Sequence, residues 1–220
     1  MKKPQKYVSK DEALSKLQKY CAYQDRCHKE VEKKIRDYGI YGDDVGDIMV
    51  ELIRERFLDE ERFARSYARG KFRMKKWGKT RIKLELKRRD VSKYCIKKAM
   101  TEIENEEYAM VLRKILEKKM IQYKGKFYER KIKAARFALG KGYESVLVWK
   151  LANELEEEHE EEKTQSEKEK HLFVLEKLLE KKMREYKGNF YEKKMKSARY
   201  IIGKGYDSKL VWGLINELEE

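Results

Sequence analysis

The second half of the chain is written twice. Leu116-Glu117-Lys118-Lys119-Met120 returns as Leu179-Glu180-Lys181-Lys182-Met183, and Phe127-Tyr128-Glu129 returns as Phe190-Tyr191-Glu192. Gly140-Lys141-Gly142-Tyr143 returns as Gly203-Lys204-Gly205-Tyr206, and Leu147-Val148-Trp149 returns as Leu210-Val211-Trp212. About two-thirds of the paired positions are identical, and self-similarity at a fixed spacing marks a repeat architecture. The chain is therefore expected to be a series of small units and not one thick core. Its composition agrees, with 43% charged and 40% hydrophobic residues.

Each unit reads as three helices. The third unit places them near 106–123, 127–139 and 143–157, and the fourth near 168–186, 190–202 and 206–219. Gly125 and Gly142, then Gly188 and Gly205, stand at the joints, where glycine adopts a left-handed conformation without a side-chain clash. The first half follows the plan more loosely. Unit two is expected at 59–74, 79–89 and 92–103, with Trp77-Gly78 in the place of Lys124-Gly125 and Asp90-Val91 in the place of Gly142-Tyr143. Unit one is expected at 11–20, 28–38 and 43–56, with Gly39-Ile40 as its joint. The only proline is Pro4, so nothing downstream forbids helix, and no alternating run bounded by turn residues signals a strand.

The expected fold is thus all-α: tandem three-helix repeats stacked into an elongated, curved array. The repeats fall at 1–57, 58–105, 106–157 and 170–220. Between the last two, the Glu-rich 158–169 is either an acidic linker or an extension of the preceding helix, since Glu forms helix well but dense like charge favours fraying.

The formal net charge of +15 and pI near 9.4 point to a polyanionic partner. The sharpest signal lies in the second repeat. On a helix, Phe63, Tyr67, Gly70 and Met74 share one face, and Arg62, Arg65, Arg69, Arg73 and Lys76 share another. Like charges so arranged repel within the helix, and phosphate would relieve the cost. The next helix adds Lys79, Arg81, Lys83, Lys87 and Arg88. The equivalent helices offer Arg130, Lys131, Lys133 and Arg136, then Lys193, Lys194, Lys196 and Arg199. A helix that is cationic in successive units reads as a continuous basic track, suited to phosphate contacts that fix position and not sequence. Trp77 sits at a joint between two cationic helices and is a candidate for base stacking. The aromatics that recur at Phe127, Tyr128, Phe190 and Tyr191 read as packing, and Trp149 and Trp212 as core.

The residues Asp59-Glu60-Glu61-Arg62-Phe63-Ala64, with Arg69, Lys71, Lys76, Gly78, Ile82, Glu85, Leu86 and Lys87, resemble the signature of RecX regulatory proteins. The resemblance is most specific over 58–91 and extends less sharply over 10–157. It implies an all-helical modulator, usually an inhibitor, of the RecA recombinase in DNA repair and recombination. The implied partner is the RecA filament on single-stranded DNA. Three repeats are expected from the resemblance, and the fourth departs from it.

No enzymatic motif is present: there is no Walker-type loop, no Gly-x-Ser-x-Gly and no His-Glu-x-x-His. Gly140-Lys141-Gly142 has no preceding strand and reads as a helix cap. Cys21, Cys27 and Cys95 form no Cys-x-x-Cys pair, and with His28 nearby they still lack metal-site spacing. They are expected to be reduced thiols in the cytosol. No apolar run reaches the length of a membrane span, about 18–20 residues, and no apolar signal segment follows the basic Met1-Lys2-Lys3. The expectation is a cytoplasmic, monomeric regulator without cofactor, metal or catalytic residues. A basic helical nucleic-acid binder with no filament role, or a scaffold for an acidic protein, is the alternative.

Overall fold

The computed structural model describes residues 8–218. Among them every regular element is a helix: α1 (Lys10–Tyr23), α2 (His28–Asp37), α3 (Asp43–Arg54), α4 (Glu60–Lys75), α5 (Lys79–Arg88), α6 (Lys93–Met100), α7 (Asn105–Gln122), α8 (Phe127–Gly140), α9 (Ser145–Glu185), α10 (Phe190–Gly203) and α11 (Ser208–Glu217). Met1, Lys2, Lys3, Pro4 and Glu219, which entered the reading of the sequence, lie outside the described residues. The fold is all-α, as the repeat pattern and glycine spacing require.

Local chemistry sets the ends of these helices. Asp59 caps α4 by accepting from the Arg62 amide at 2.9 Å, and Ser92 caps α6 through the Cys95 amide at 3.3 Å. Gly125, Gly142, Gly188 and Gly205 all have positive φ, at +120°, +88°, +130° and +93°. The first half reaches positive φ at Gly39 and Gly42 and also at three residues that are not glycine, Arg56, Lys76 and Asp90, each of these costing about 1 kcal/mol. Here the structure corrects one expectation. In the second repeat the left-handed residue is Lys76 (φ +52°), whereas Gly78 has φ −74° and stands as the N-cap of α5.

Gly78 is a glycine for a different reason. A Cβ on it would fall well inside van der Waals contact of the Gly142 carbonyl group, and a Cβ on Gly142 would strike the Arg81 backbone. The Gly78 amide donates to the Lys141 carbonyl at 2.9 Å, and the Thr80 amide donates to the Gly142 carbonyl at 3.1 Å. The first amides of a helix have no partner within it, and here the turn between α8 and α9 supplies the acceptors. The joint between the first two repeats is closed by a side-chain ammonium instead. Lys29 on the first turn of α2 donates to the Arg88 carbonyl at 3.2 Å and pairs with Asp90 at 2.8 Å, on the turn between α5 and α6. Cys27, the N-cap of α2, is buried in the core of the following repeats.

The chain divides into two compact units, Met1–Glu156 and Glu157–Glu220. The first holds two apolar clusters. One lies wholly within 8–58 and centres on Leu17, Ile35, Ile48 and Leu52. The other joins Phe72, Ile82 and Leu86 to Leu112, Leu116, Ala134, Ala138 and Val148. The second unit closes its own cluster from Leu175, Leu179, Ala198, Ile201, Val211 and Ile215. Trp149 and Trp212 border these cores, half-buried. The acidic stretch 154–169 is helical throughout, inside α9.

Candidate nucleic-acid interface

The arginines expected to form one cationic stripe are largely neutralised by carboxylates from distant parts of the chain. Arg62 pairs with Asp25 at 2.8 Å and donates to the Arg56 and Phe57 carbonyls at 3.0 and 3.1 Å. It thereby ties α4 to the first repeat. Arg65 pairs with Glu61 at 2.8 Å and Glu102 at 2.5 Å, and Arg69 pairs with Glu102 at 3.0 Å. These hydrogen bonds hold the Glu102 carboxyl below its usual range and raise the Arg65 guanidinium. Further along the face, Arg73 and Lys76 are exposed, and the structure gives them no ion pair among the described residues.

Helix α5 sorts its cations in the same way. The Lys79 amide donates to the Tyr108 hydroxyl at 2.9 Å, and its ammonium donates to Asn105 at 2.8 Å. Burial pushes that ammonium below its usual range. Arg81 lies over the Trp77 ring at 4.2 Å and reaches the Gly140 carbonyl at 3.4 Å. Arg88 pairs with Glu85 at 2.8 Å. Lys83 and Lys87 are exposed and, like Arg73 and Lys76, carry no ion pair among the described residues. Trp77 is half-buried, with Arg81 and Lys71 at 4.2 and 5.4 Å from its ring. Cations already pack against its π-system, so the ring is not presented as a bare stacking platform.

On α8 the expected track is interrupted. Lys131 is buried, and its ammonium donates to Asn153 at 3.2 Å and pairs with Glu156 at 2.5 Å. Lys133 donates to the Lys124 carbonyl at 3.3 Å, closing the end of α7. Its duplicate Lys196 donates to the Lys187 carbonyl at the same distance, and Lys194 donates to the Leu218 carbonyl. A lysine that satisfies a terminal carbonyl in both copies is doing structural work. Arg136 is exposed and stays available. The structure thus leaves Arg73, Lys76, Lys83 and Lys87 exposed and without ion pairs among the described residues, whereas Arg62, Arg65, Arg69, Lys79 and Lys131 are engaged by other parts of the protein and Lys131 is buried.

One feature of this region was invisible to periodicity. A groove of about 350 Å³ lies between the α1–α2 loop and α4, lined by Arg26, Tyr67, Gly70, Lys71, Lys75 and Arg89 among others. Arg26 comes from a loop of the first repeat, so no stripe on α4 announces it. Its guanidinium lies over the Tyr20 ring at 4.1 Å. Lys71 and Arg89 stand 5.0 and 4.9 Å from the Tyr67 ring, and burial pushes the Tyr67 phenol up. The three cysteines are buried free thiols, each pushed up by burial. Among the described residues no group of three or more His, Cys, Asp or Glu is placed to hold a metal ion. No described helix is long and apolar enough to cross a membrane.

Comparison with known proteins points the same way as α4 and α5. A family model described as RecX, second three-helix domain, matches residues 59–100. The regulatory protein RecX of Bacillus cereus (strain G9842) is 27% identical over 189 residues, covering 86% of this chain and 68% of that protein. That of Bacillus thuringiensis (strain Al Hakam) is 28% identical over 192 residues, with the same coverage. The crystal structure of RecX from Lactobacillus salivarius superposes with a TM-score of 0.62 at 23% identity, over 67% of this chain and 96% of that one. The last likeness is one of fold.

Proposed function

We propose that this chain, similar to RecX regulatory proteins in sequence, is a RecX-family protein and a non-catalytic cytoplasmic regulator, an inhibitor, of the RecA recombinase. It acts by lying along the RecA filament on single-stranded DNA, touching both protein and phosphate, and hindering ATP hydrolysis, strand pairing or filament growth. The observation that carries this reading is the group of exposed cations without carboxylate partners, Arg73, Lys76, Lys83 and Lys87, within the stretch that matches the family model. Cations left unpaired in a chain that pairs their neighbours are free to meet phosphate, and such contacts carry little sequence information.

The test is single-stranded-DNA-dependent ATP hydrolysis by the RecA of the same organism, with this protein titrated in and naked-DNA binding measured at the same salt. Inhibition well below the concentration that coats naked DNA is expected. Inhibition only after the DNA is saturated leaves a basic helical binder and removes the filament from the mechanism. Reversing Arg73, Lys76, Lys83 and Lys87 to Glu together is expected to abolish inhibition with the helical content unchanged. Reversing Arg62, Arg65 and Arg69 is expected to loosen the fold first.

A further inference from the structure

The groove between the α1–α2 loop and α4 lacks something its walls are built to meet. The Arg26 Nε and the Tyr67 hydroxyl are both shut off from bulk water, and neither has a hydrogen-bond partner. Both residues line the same groove. A guanidinium carries five N–H donors, and among the described residues that of Arg26 meets the Tyr20 ring and no acceptor oxygen. Around them the cations are divided. Arg62, Arg65, Arg69 and Arg89 are matched to Asp25, Glu61, Glu102 and Glu85. Arg26, Lys71 and Lys75 form no ion pair among the described residues, although Asp25 and Glu30 line the same groove. Asp25 is taken by Arg62, and Glu30 faces Arg89 at 3.9 Å.

We propose that this groove is an oxyanion site that seats one phosphate of single-stranded nucleic acid, with Arg26 as its principal donor and Tyr67, Lys71 and Lys75 beside it. The assignment rests on the nucleic-acid contact proposed above and names a place for it. Stacking on Tyr20 holds the planar Arg26 guanidinium, and a held arginine loses little freedom on meeting a phosphate. A phosphate fits better than a lone protein carboxylate because α4 continues past the groove with Arg73 and Lys76, also unpaired. A run of unmatched cations suits a ligand whose charge recurs along a strand.

The experiment measures binding of a fluorescent oligothymidylate to the full chain across a salt series. Arg26→Met is expected to weaken binding about tenfold and to lower the slope of log affinity against log salt by about 0.7, the value for one phosphate on a single strand. The double variant Lys71→Gln/Lys75→Gln leaves the Arg26–Tyr20 stack in place. It should weaken binding in the same direction, which keeps the test readable if Arg26→Met fails to fold. Tyr67→Phe gives the most telling pair of readouts: removing an unpartnered hydroxyl raises the melting temperature, while affinity falls. Wild-type binding with all three variants unchanged overturns the groove and leaves the regulator reading standing. Unchanged oligonucleotide binding with lost RecA inhibition in Arg26→Met assigns the groove to a protein carboxylate and overturns the phosphate. No wild-type binding to the oligonucleotide at any salt overturns both the groove and the DNA contact.

Discussion

The third and fourth repeats are nearly one sequence, yet their joints differ in environment. Tyr143 is 3% exposed and pairs with Tyr108 at 4.9 Å between ring centroids. Tyr206, the duplicate of Tyr143, is only half-buried and meets the exposed His171 at 5.4 Å. Gly142 is pressed against the backbone of Arg81, whereas a Cβ on Gly205 would meet no atom within 4 Å among the described residues. The joint of the third repeat receives the N-terminus of α5, and that contact buries what the fourth repeat leaves open. The neighbour decides burial here, and a duplicated sequence does not duplicate an environment.

The largest test of this contrast is a pair of glycine substitutions. Gly78→Ala carries no backbone strain, but its Cβ strikes Gly142, so a loss of about 3 kcal/mol is expected from overpacking. Gly205→Ala suffers only the left-handed conformation, about 1 kcal/mol. Urea melts, with hydrogen exchange to assign each loss to its unit, check the order; equal costs would break the comparison. Next comes Tyr108→Phe. The Tyr108 hydroxyl donates to Glu144 at 2.5 Å and accepts from the Lys79 amide, so its removal strands a half-buried amide and should cost about 2 kcal/mol. His171→Phe, at the open counterpart, should change stability by less than about 0.5 kcal/mol.

Acid sharpens the picture at the first joint. Burial pushes the Glu60 carboxyl up, but hydrogen bonds from Ser92 and Cys95 outweigh it and hold the carboxyl below 4.5. A carboxyl depressed on folding contributes stability that is complete above its unfolded value and is lost as the pH falls through the folded one. Amide exchange at 92–96 should therefore speed up below about pH 4.5, the unfolded value of Glu60, before the cluster within 8–58 opens. The smallest effect is shared by the duplicates: Lys133→Gln and Lys196→Gln should each cost about 0.5 kcal/mol, because both ammonium groups meet a terminal carbonyl. Unequal costs would show that even this local cap depends on its surroundings.

Much of the fold was legible because its signals are local. Glycine at 125, 142, 188 and 205 marks helix ends whichever neighbour is present, and apolar spacing marks the inner faces. Gly78 was legible as a joint but not in its role, because the atom it must avoid belongs to a residue far along the chain. The candidate site was legible as residue types and not as pairings. Arg65 and Arg69 meet Glu102 only through tertiary structure. The burial of Lys131 does have a local signal, since it shares the helix face of Ala134, Ala135 and Ala138. Arg26 offers no such clue, because a loop residue has no periodicity to read.

The ownership of the two clusters in the first unit also fixes an order of events during synthesis. The cluster within 8–58 needs nothing beyond its own residues, so it can condense as soon as that segment leaves the ribosome. The neighbouring cluster takes residues from Cys27 to Ala152, and the amides at the start of α5 find their acceptors at Tyr108, Lys141 and Gly142. Phe72, Ile82 and Leu86 therefore have only their own repeat to cover them while α7 and α8 are made. At about 5–20 residues per second that interval lasts several seconds, and it is the period in which a nascent chain of this design is most open to chaperones and to aggregation.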